Sequence, residues 1–346
     1  MKALVFQNRL ALDDLQAVEQ PAPSPGPRQV LVRMQAASLN YRDLAIARGE
    51  YGSYPLPLVP ASDGAGTVVA LGPEVRRFRV GDLVCPAYVP DWIDGPVQEG
   101  TARRRLGGPV DGVLRELMCV DEEALVRAPA HFTAAEAATL PIAGVTAWQA
   151  LFTDGRVEAG QTVAVQGSGG VSLFVVQLAR AAGLRVLSLL RGAGRREALE
   201  RLGAEVFDST MSDWPEQVLA ATGGRGVDLF VDVVGGQMLP KTIAATRVGG
   251  SVVVLGFVGG TSVTLDLLAL IRRAVTLRAI SGGSRASFEQ LVSFLEAHEL
   301  HPVIGARFSF DEVPAAYDHL ATGRPLGKVV IDLETRAVTN ARQAAV

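Results

Sequence analysis

The sequence predicts an α/β fold: a doubly wound parallel sheet joined to a second, antiparallel β domain. Three observations carry this. Between residues 162 and 281, apolar runs alternate with helical patterns. Strands that read as continuous apolar runs belong to a parallel sheet covered on both faces. The first of these runs leads through Gly-Ser-Gly-Gly into a helix. The first 125 or so residues give short strands instead, with alternating patterns cut by Gly, Pro and Asp.

Taken in order, QVLVRMQA (29–36) sets Val30, Val32 and Met34 on one face, the period of a half-buried strand. In SLNYRDLAIARGEY (38–51), a strand ends at Leu39 and a helical pattern resumes after Asn40, Tyr41, Arg42 and Asp43. Asn40 and Asp43 have the spacing of a capping pair. The same polar group has the character of an active-site floor, and both readings stand. GAGTVVALG (64–72), VGDLVCPAYV (80–89) and GVLRELMCV (112–120) are further short strands, and the insert DWIDGPVQEGTARRRLGGP (91–109) is a substrate lid or a surface loop. Near residue 130 the pattern changes. TAAEAATLPIAGVTAWQALF (133–152) is helical in composition and interrupted at Pro141. TVAVQ (162–166), RVLSLL (185–190), EVFDS (205–209), VDLFVDVV (227–234), SVVVLGFV (251–258) and VTLRAIS (275–281) read as strands. Helices fall over VSLFVVQLARAAG (171–183), RREALERLGA (195–204) and WPEQVLAATGG (214–224). From about 285 the chain forms a helix around SFEQLVSFLEAHEL (287–300), then the short strands ARFSF and GKVVIDL, which return to the first domain. The expected division is 1–125 with 285–346 for the β domain, and 126–284 for the doubly wound domain. The tail ETRAVTNARQAAV carries no core or turn signal and is expected to be loosely held.

The 346 residues are 48% hydrophobic and 20% charged, enough for two cores. A net charge of −3 without a long single-sign run gives no footprint for nucleic acid or an anionic membrane. Two cysteines, Cys85 and Cys119, exclude a disulfide framework and a four-cysteine zinc lobe. MKALVFQNRLALDD lacks the apolar core of a signal peptide, and no run reaches the roughly 20 apolar residues of a spanning helix. A reducing, cytoplasmic setting is expected.

The strongest local signal is Gly167-Ser168-Gly169-Gly170-Val171, between a buried strand and a helix. A turn without Cβ atoms lets the backbone approach a pyrophosphate, which rests on the helix N-terminus. The third glycine of the usual fingerprint is Ser172, small enough to keep the helix close to the sheet. An NAD site usually closes its second strand with Asp or Glu. Here that strand runs into SLLRGAGRRE: Arg191 lies 19 residues after Ser172, and no carboxylate precedes Glu197. Arg191, Arg195 and Arg196 suit a 2′-phosphate, so NADP(H) is the expected cofactor.

SLNYRDL, PLVPASDGAGTVVALG, RFRVGDLV, LPIAGVTAWQALF, VQGSGGVSLFVVQLARAAG and GKVVI, in this order and spacing, resemble the medium-chain dehydrogenase/reductase superfamily. Within it the chain looks like the zinc-independent, quinone-oxidoreductase-like (zinc-type alcohol dehydrogenase-like) branch, over residues 1 to about 333. The resemblance implies a GroES-like β domain, split in sequence, around a Rossmann domain, with a cleft between them and commonly a homodimer. For the nicotinamide half it implies Thr146, Val233, Leu255, Gly256, Phe257, Gly283, Ser284 and Lys328. Zinc-dependent relatives hold a catalytic zinc with Cys, His and Cys. Matching the motifs sets Asn40, Ser62 and Ile142 at those positions, none of them a zinc ligand. The structural-zinc lobe of such relatives would fall near 90–112, which contains no cysteine. No metal is expected. Asp63 replaces a family Glu and is read as the partner of an arginine, or only as a turn residue. His298 and His301 sit near a helix end, where the dipole accounts for them, and His131 and His319 read as isolated.

Without a Lewis acid, alcohol oxidation lacks its usual alkoxide stabiliser. Reduction of an activated double bond needs less: a hydride to the β-carbon, then donors and a proton for the developing enolate. Asn40, Tyr41 and Tyr51 are the candidate donors, although the two tyrosines also fit as core or interface aromatics. The expected activity is NADPH-dependent hydride transfer to a quinone or α,β-unsaturated carbonyl, a small-molecule substrate. The alternatives are an NADP-dependent alcohol or aldehyde dehydrogenase, and a non-catalytic NADPH-binding redox sensor. A chain with both the cofactor turn and the 40–51 polar cluster favours the enzyme. The strands at 251–258 and 275–281 are expected to supply the sheet edge of a dimer.

Overall fold

The computed structural model describes residues 1–192, 194–323 and 326–334, so the tail from residue 335 lies outside the described residues. The chain opens with β1 (Lys2–Phe6), β2 (Leu15–Glu19), β3 (Gln29–Leu39) and α1 (Tyr41–Ala47). β4 (Asp63–Leu71), β5 (Leu83–Pro86), α2 (Glu99–Ala102), β6 (Leu117–Asp121) and β7 (Leu125–Arg127) complete its first part. α3 (Ala134–Ala137) and α4 (Val145–Trp148) lead into β8 (Thr162–Gln166), α5 (Gly170–Ala181), β9 (Arg185–Leu190), α6 (Arg196–Arg201) and β10 (Glu205–Asp208). α7 (Trp214–Ala221), β11 (Val227–Asp232), α8 (Leu239–Ala245), β12 (Thr246–Val254), α9 (Leu267–Arg273) and β13 (Thr276–Ala279) follow. The chain closes with α10 (Arg285–Ala297), β14 (Ile304–Ser309), α11 (Val313–Ala321) and β15 (Lys328–Asp332).

β3 is the spine of the first sheet, in the order β14-β15-β3-β4-β5-β7, with β6 also paired to β3. The pairs are antiparallel except β14 with β15. Val30, Val32 and Met34 are buried and Arg33 is exposed, the half-buried pattern the sequence carries. From Ala36 to Leu39 both faces are buried, because this end of β3 lies between two cores. Ala36 packs into the core shared with the second sheet, and Ala37 and Leu39 pack into the core of the β domain.

The second sheet has the order β10-β9-β8-β11-β12-β13 and is parallel throughout. β8 and β11 are buried at every position, as their continuous apolar runs require. Its core runs from Val163, Val165 and Val186 through Phe174 and Val175 of α5 to Leu291 and Leu295 of α10.

Four expectations need correction. The helical stretch after 133 breaks at Ala138, the C-cap of α3. Pro141 instead opens a π-helical turn, Leu140–Gly144, in a first turn where its missing N–H costs nothing. β12 ends at Val254 rather than 258, since the N–H groups of Leu255 and Gly256 both turn to the Asp232 carbonyl at 3.0 and 3.3 Å. β13 lies at an edge of the sheet, as expected, but it is not covered on both faces: it is exposed at all of its positions. α10 belongs to the seam, because Phe288, Leu291 and Leu295 pack with the parallel sheet's helices. The return to the first sheet is made by β14, α11 and β15. No helix among the described residues is long and apolar enough to cross a membrane.

Candidate active site

The glycine turn joins β8 to α5. Gly167 has φ +78°, a left-handed conformation that favours glycine. Ser172, in the first turn of α5, donates its hydroxyl to the Gln166 carbonyl at 2.6 Å. The departure from glycine at 172 therefore ties the helix to the end of the strand. A Cβ built on Gly169 would meet no atom within 4 Å, so the approach to the N-terminus of α5 is open. Gln166 Nε2 is buried beside the turn without a partner among the described residues, while its Oε1 accepts from Val233 N–H at 3.1 Å. Open space over a glycine turn, the start of a 12-residue helix, whose first N–H groups have no intrahelical acceptor, and a buried amide without a partner among the described residues fit a dinucleotide pyrophosphate. Arg195 Nη1 donates to Ser168 Oγ at 2.7 Å, and Arg191 follows the last residue of β9 and is exposed.

The remaining expected cofactor residues lie on three loops, a helix and, for Lys328, the start of β15. Thr146 is buried in α4, and Gly283 packs on that helix so closely that a Cβ would stand 2.7 Å from Val145 Cγ1. A Cβ on Gly256 would stand 1.7 Å from the Val233 carbonyl oxygen, so the loops 233–236 and 255–259 meet backbone to backbone. The Ser284 hydroxyl is occupied as the N-cap of α10: it accepts from Ser287 N–H at 3.1 Å and lies 3.2 Å from Ser287 Oγ. The structure therefore gives the Ser284 side chain a capping task in α10.

At the other side of the cleft, Asn40 and Asp43 have the capping-box arrangement, with Asn40 N–H on Asp43 Oδ2 at 2.8 Å. The Asn40 amide is held at both ends. Nδ2 donates to Asp63 Oδ2 at 2.9 Å, and Oδ1 accepts from Lys328 Nζ at 2.6 Å. Lys328 Nζ also donates to the Leu39 carbonyl at 3.0 Å and stands 3.7 Å from Asp63 Oδ2. Burial pushes the Asp63 carboxyl up to about 7 against the pull of Lys328 and Asn40. The same burial lowers the Lys328 ammonium, against the support of Asp63. The expected arginine partner of Asp63 is thus a lysine, brought from the far end of the chain by β15.

Arg42, which the sequence reading passed over, is buried. It donates to Ser62 Oγ at 2.6 Å, to the Leu106 carbonyl at 3.0 Å and to the Gly108 carbonyl. The Ser62 hydroxyl donates in turn to Asp43 Oδ1 at 2.7 Å, so Arg42 and Asp43 are linked through one hydroxyl. The guanidinium lies 5.4 Å from the Tyr51 ring centroid and 5.2 Å from that of Tyr88. Phe257 crosses from the second sheet to meet Tyr41 at 5.5 Å and Tyr51 at 5.8 Å between ring centroids. Two of the expected donors, Tyr41 and Tyr51, therefore meet Phe257 across the cleft, while the Asn40 amide is turned to Asp63 and Lys328. The insert is docked: Trp92 and Ile93 carbonyls accept from Arg285 and Ala286 N–H at 2.8 and 3.0 Å, and Trp92 packs with Tyr88, Val89 and Ile142. The signal for Arg42 was an arginine inside an otherwise apolar helix face.

His131 and His319 are not isolated. His131 meets the His301 ring edge-on at 4.9 Å, His301 Nδ1 lies 2.7 Å from Glu136 Oε1, and His319 packs on Phe308 at 5.7 Å. Aromatic packing between the 131–136 segment and His301 draws His131 and His301 together.

The positions matched to the zinc ligands of relatives do not fit a metal. Asn40 offers an amide oxygen already bound to an ammonium, and Ser62 a hydroxyl bound between Arg42 and Asp43. Ile142 offers only hydrocarbon, where zinc takes thiolate, imidazole or carboxylate. No group of three or more His, Cys, Asp or Glu that could hold a metal ion occurs among the described residues.

Comparison with known proteins agrees with this architecture. The alcohol dehydrogenase GroES-like domain family matches residues 26–130, and the zinc-binding dehydrogenase family matches residues 170–297. A zinc-type alcohol dehydrogenase-like protein of Schizosaccharomyces pombe is 35% identical over 96% of this chain and 99% of its own length. A 2-methylene-furan-3-one reductase of Solanum lycopersicum is 32% identical over 96% of this chain and 79% of its own length. The crystal structure of a putative alcohol dehydrogenase from Sinorhizobium meliloti 1021 superposes with a TM-score of 0.91 at 39% identity, over 96% of this chain and 98% of that one. Two family models in the expected order, a parallel Rossmann sheet beside a GroES-like sheet and full-length relatives lead to one conclusion: the chain belongs to the medium-chain dehydrogenase/reductase superfamily, in its zinc-type alcohol dehydrogenase-like branch, and is an oxidoreductase.

Proposed function

We propose that the protein is an NADPH-dependent, zinc-independent reductase of quinones or α,β-unsaturated carbonyls. The observation that carries this is the Asn40–Lys328–Asp63 network, which fills the place of a catalytic metal with a hydrogen-bonded ammonium and carboxylate. A reduced nicotinamide supplies the hydride. The chain's part is to stabilise the oxygen on which charge develops and to exclude water. Tyr51, with its ring near both Arg42 and Phe257, is the donor to that oxygen, and Tyr41 lines the same wall. Asn40, with both ends of its amide engaged, orients this network. The hydride adds to the β-carbon, the carbonyl oxygen takes the charge, and a proton at the α-carbon completes the saturated product.

The absence of an acid before Glu197, together with Arg191 and the Arg195–Ser168 bond, supports NADP(H) over NAD(H). The tomato relative named for reducing an exocyclic enone supports the substrate class. We also propose a homodimer through the exposed edge at β13, and a cytoplasmic setting in which Cys85 and Cys119 stay free.

The test follows NADPH oxidation against a panel of quinones, enones, aldehydes and alcohols, with and without a chelator. Turnover of enones or quinones that survives chelation is expected. Loss of activity on chelation would overturn the zinc-free reading, and turnover of aldehydes alone would favour a carbonyl–alcohol dehydrogenase. NADPH binding without turnover of any compound would favour a redox sensor.

A further inference from the structure

Of the three consecutive arginines in the insert, two are engaged at the surface and the third is not. Arg103 pairs with Glu99, and Arg104 Nη1 lies 3.2 Å from Asp91 Oδ2. Arg105 is half-buried, and among the described residues its guanidinium meets no carboxylate and no hydrogen-bond acceptor. Its Cζ lies 5.9 Å from the Tyr88 ring centroid, and Arg42 Cζ lies 5.2 Å from the same centroid. The segment beside Arg105 is fixed. Leu106 N–H donates to the Tyr88 carbonyl at 3.1 Å, and Arg42 holds the Leu106 and Gly108 carbonyls. A Cβ on Gly107 would stand 2.8 Å from the Ala61 carbonyl carbon. Tyr88 in turn packs with Val89, Trp92 and Ile142, the last at the position matched to a zinc ligand of relatives. A Cβ on Gly282, in the loop before α10, would stand 3.2 Å from Tyr88 Cδ1. Burial pushes the Tyr88 phenol up against the pull of Arg42 and Arg105, so it stays a neutral donor, and it forms no hydrogen bond among the described residues. Two guanidiniums thus gather on one ring beside Tyr51, and Asp43, linked to Arg42 through Ser62, balances one of them.

We propose that Arg105 and the Tyr88 hydroxyl form an anion subsite at the substrate end of the cleft, and that the substrate carries a carboxylate away from its reacting double bond. This rests on the reading of the protein as an enone or quinone reductase. A half-buried charge without a counter-charge is costly in the empty protein and is relieved by an anionic ligand. A guanidinium whose terminal nitrogens are unused meets a carboxylate through two parallel N–H···O bonds. One excess positive charge matches one carboxylate rather than a phosphate dianion. Arg42 is already committed to Ser62 and two carbonyls, so Arg105 is the residue that reads the ligand. The substrate is then held at two points, its charged end at the insert and its carbonyl at Tyr51, which orients the double bond for the hydride. The docked insert thereby acts as a specificity element.

The test sets a carboxylate against its own ester on the intact chain. Turnover with NADPH is compared for β-acetylacrylate and its methyl ester. Calorimetry with NADP⁺ present compares the saturated counterparts, levulinate and methyl levulinate. The acid is expected to exceed the ester roughly tenfold or more in kcat/KM, and levulinate to bind tighter than its ester by a similar factor, the scale of one charge-assisted pair. Arg105→Gln removes both preferences. Arg105→Lys keeps part of them, because an ammonium retains the charge without the paired geometry. Tyr88→Phe lowers them about threefold, the scale of one neutral hydrogen bond. Arg104→Gln removes an equal charge from the neighbouring surface and leaves them intact. Equal handling of acid and ester by the unaltered protein, a preference that survives Arg105→Gln, or an equal loss in Arg104→Gln overturns the subsite. Melting curves report folding. If Arg105→Gln does not fold, Arg105→Lys decides it, and an undiminished preference there overturns the proposal. Turnover of the ester without preference for the acid removes only the subsite. An Arg105-dependent preference for levulinate without turnover of either enone keeps the subsite and removes the enone reading.

Discussion

Tyr51 has both a buried charge and an aromatic ring against it. Arg42 lies 5.4 Å from its ring centroid, and Phe257 lies at 5.8 Å. Tyr51→Phe keeps that packing and removes only the hydroxyl. Turnover is expected to fall about 100-fold, the usual scale for a lost acid or donor, while the NADPH dissociation constant from a fluorescence titration stays unchanged. Undiminished turnover removes Tyr51 from the chemistry. Arg191, exposed past the end of β9, touches the cofactor question alone. Arg191→Ala is expected to weaken NADPH about tenfold or more and to leave NADH untouched, and equal loss for both would place the 2′-phosphate elsewhere. At this scale the sequence carried the residue types but not their partners. Asn40 and Tyr51 were legible as a polar cluster. That the Asn40 amide is already held by Lys328, 288 positions away, was not, because only the folded sheet brings β15 beside β3.

Elements were most legible where burial is uniform. β8 and β9 occupy the runs 162–166 and 185–190 because a strand covered on both faces must be apolar throughout. The ends of β12 were not legible, and β13, legible as an edge, still read as covered on both faces, since an edge strand can be as apolar as a central one. The end of β12 also makes a test. Gly256 sits where the loops 233–236 and 255–259 cross, and an added Cβ would fall 1.7 Å from the Val233 oxygen. Gly256→Ala must push the two loops apart, so a loss of about 1–3 kcal/mol in urea unfolding is expected, with weakened cofactor binding. Unchanged stability would show that the loops separate freely. The first turn of α3 adds a pH dependence. Burial pushes the Glu136 carboxyl up, but bonds from Thr133 and His301 outweigh it and hold the group below its ordinary 4.5. A depressed carboxyl contributes stability above its unfolded pKa and loses it as pH falls through the folded value. Glu136→Gln should therefore lower the melting temperature at pH 7, and the gap to the parent should close as the pH drops below about 4.5. A gap that is constant with pH would assign the effect to packing.

Across the whole molecule, two cores share one seam. Ala36, Ala65 and Cys85 of the β domain pack into the core that holds Val163, Phe174 and Leu291, and the cleft lies where that seam opens toward Asn40 and the glycine turn. Among the described residues, an apolar cluster also faces outward at the β13 margin of the parallel sheet. Leu267, Leu268 and Ile271 of α9 are 68, 53 and 72% exposed, beside Leu277 on β13 at 40%. An edge strand presents unpaired backbone donors and acceptors, and natural edges are normally guarded by charge. Here the charged residue of β13, Arg278, is drawn into an ion pair with Asp154, leaving the edge without a repelling group. Two copies related by a twofold axis would pair β13 with β13 and cover α9, since an isologous contact brings the same patch from both sides. The unaltered protein is therefore expected to sediment at twice the chain mass. Leu267→Glu with Ile271→Glu changes only exposed side chains, so it should yield folded monomers that retain NADPH binding, because the glycine turn lies at the seam and not at this edge. A concentration-independent monomer mass for the unaltered chain would reject the dimer, and a dimer that persists in the double variant would move its interface away from α9.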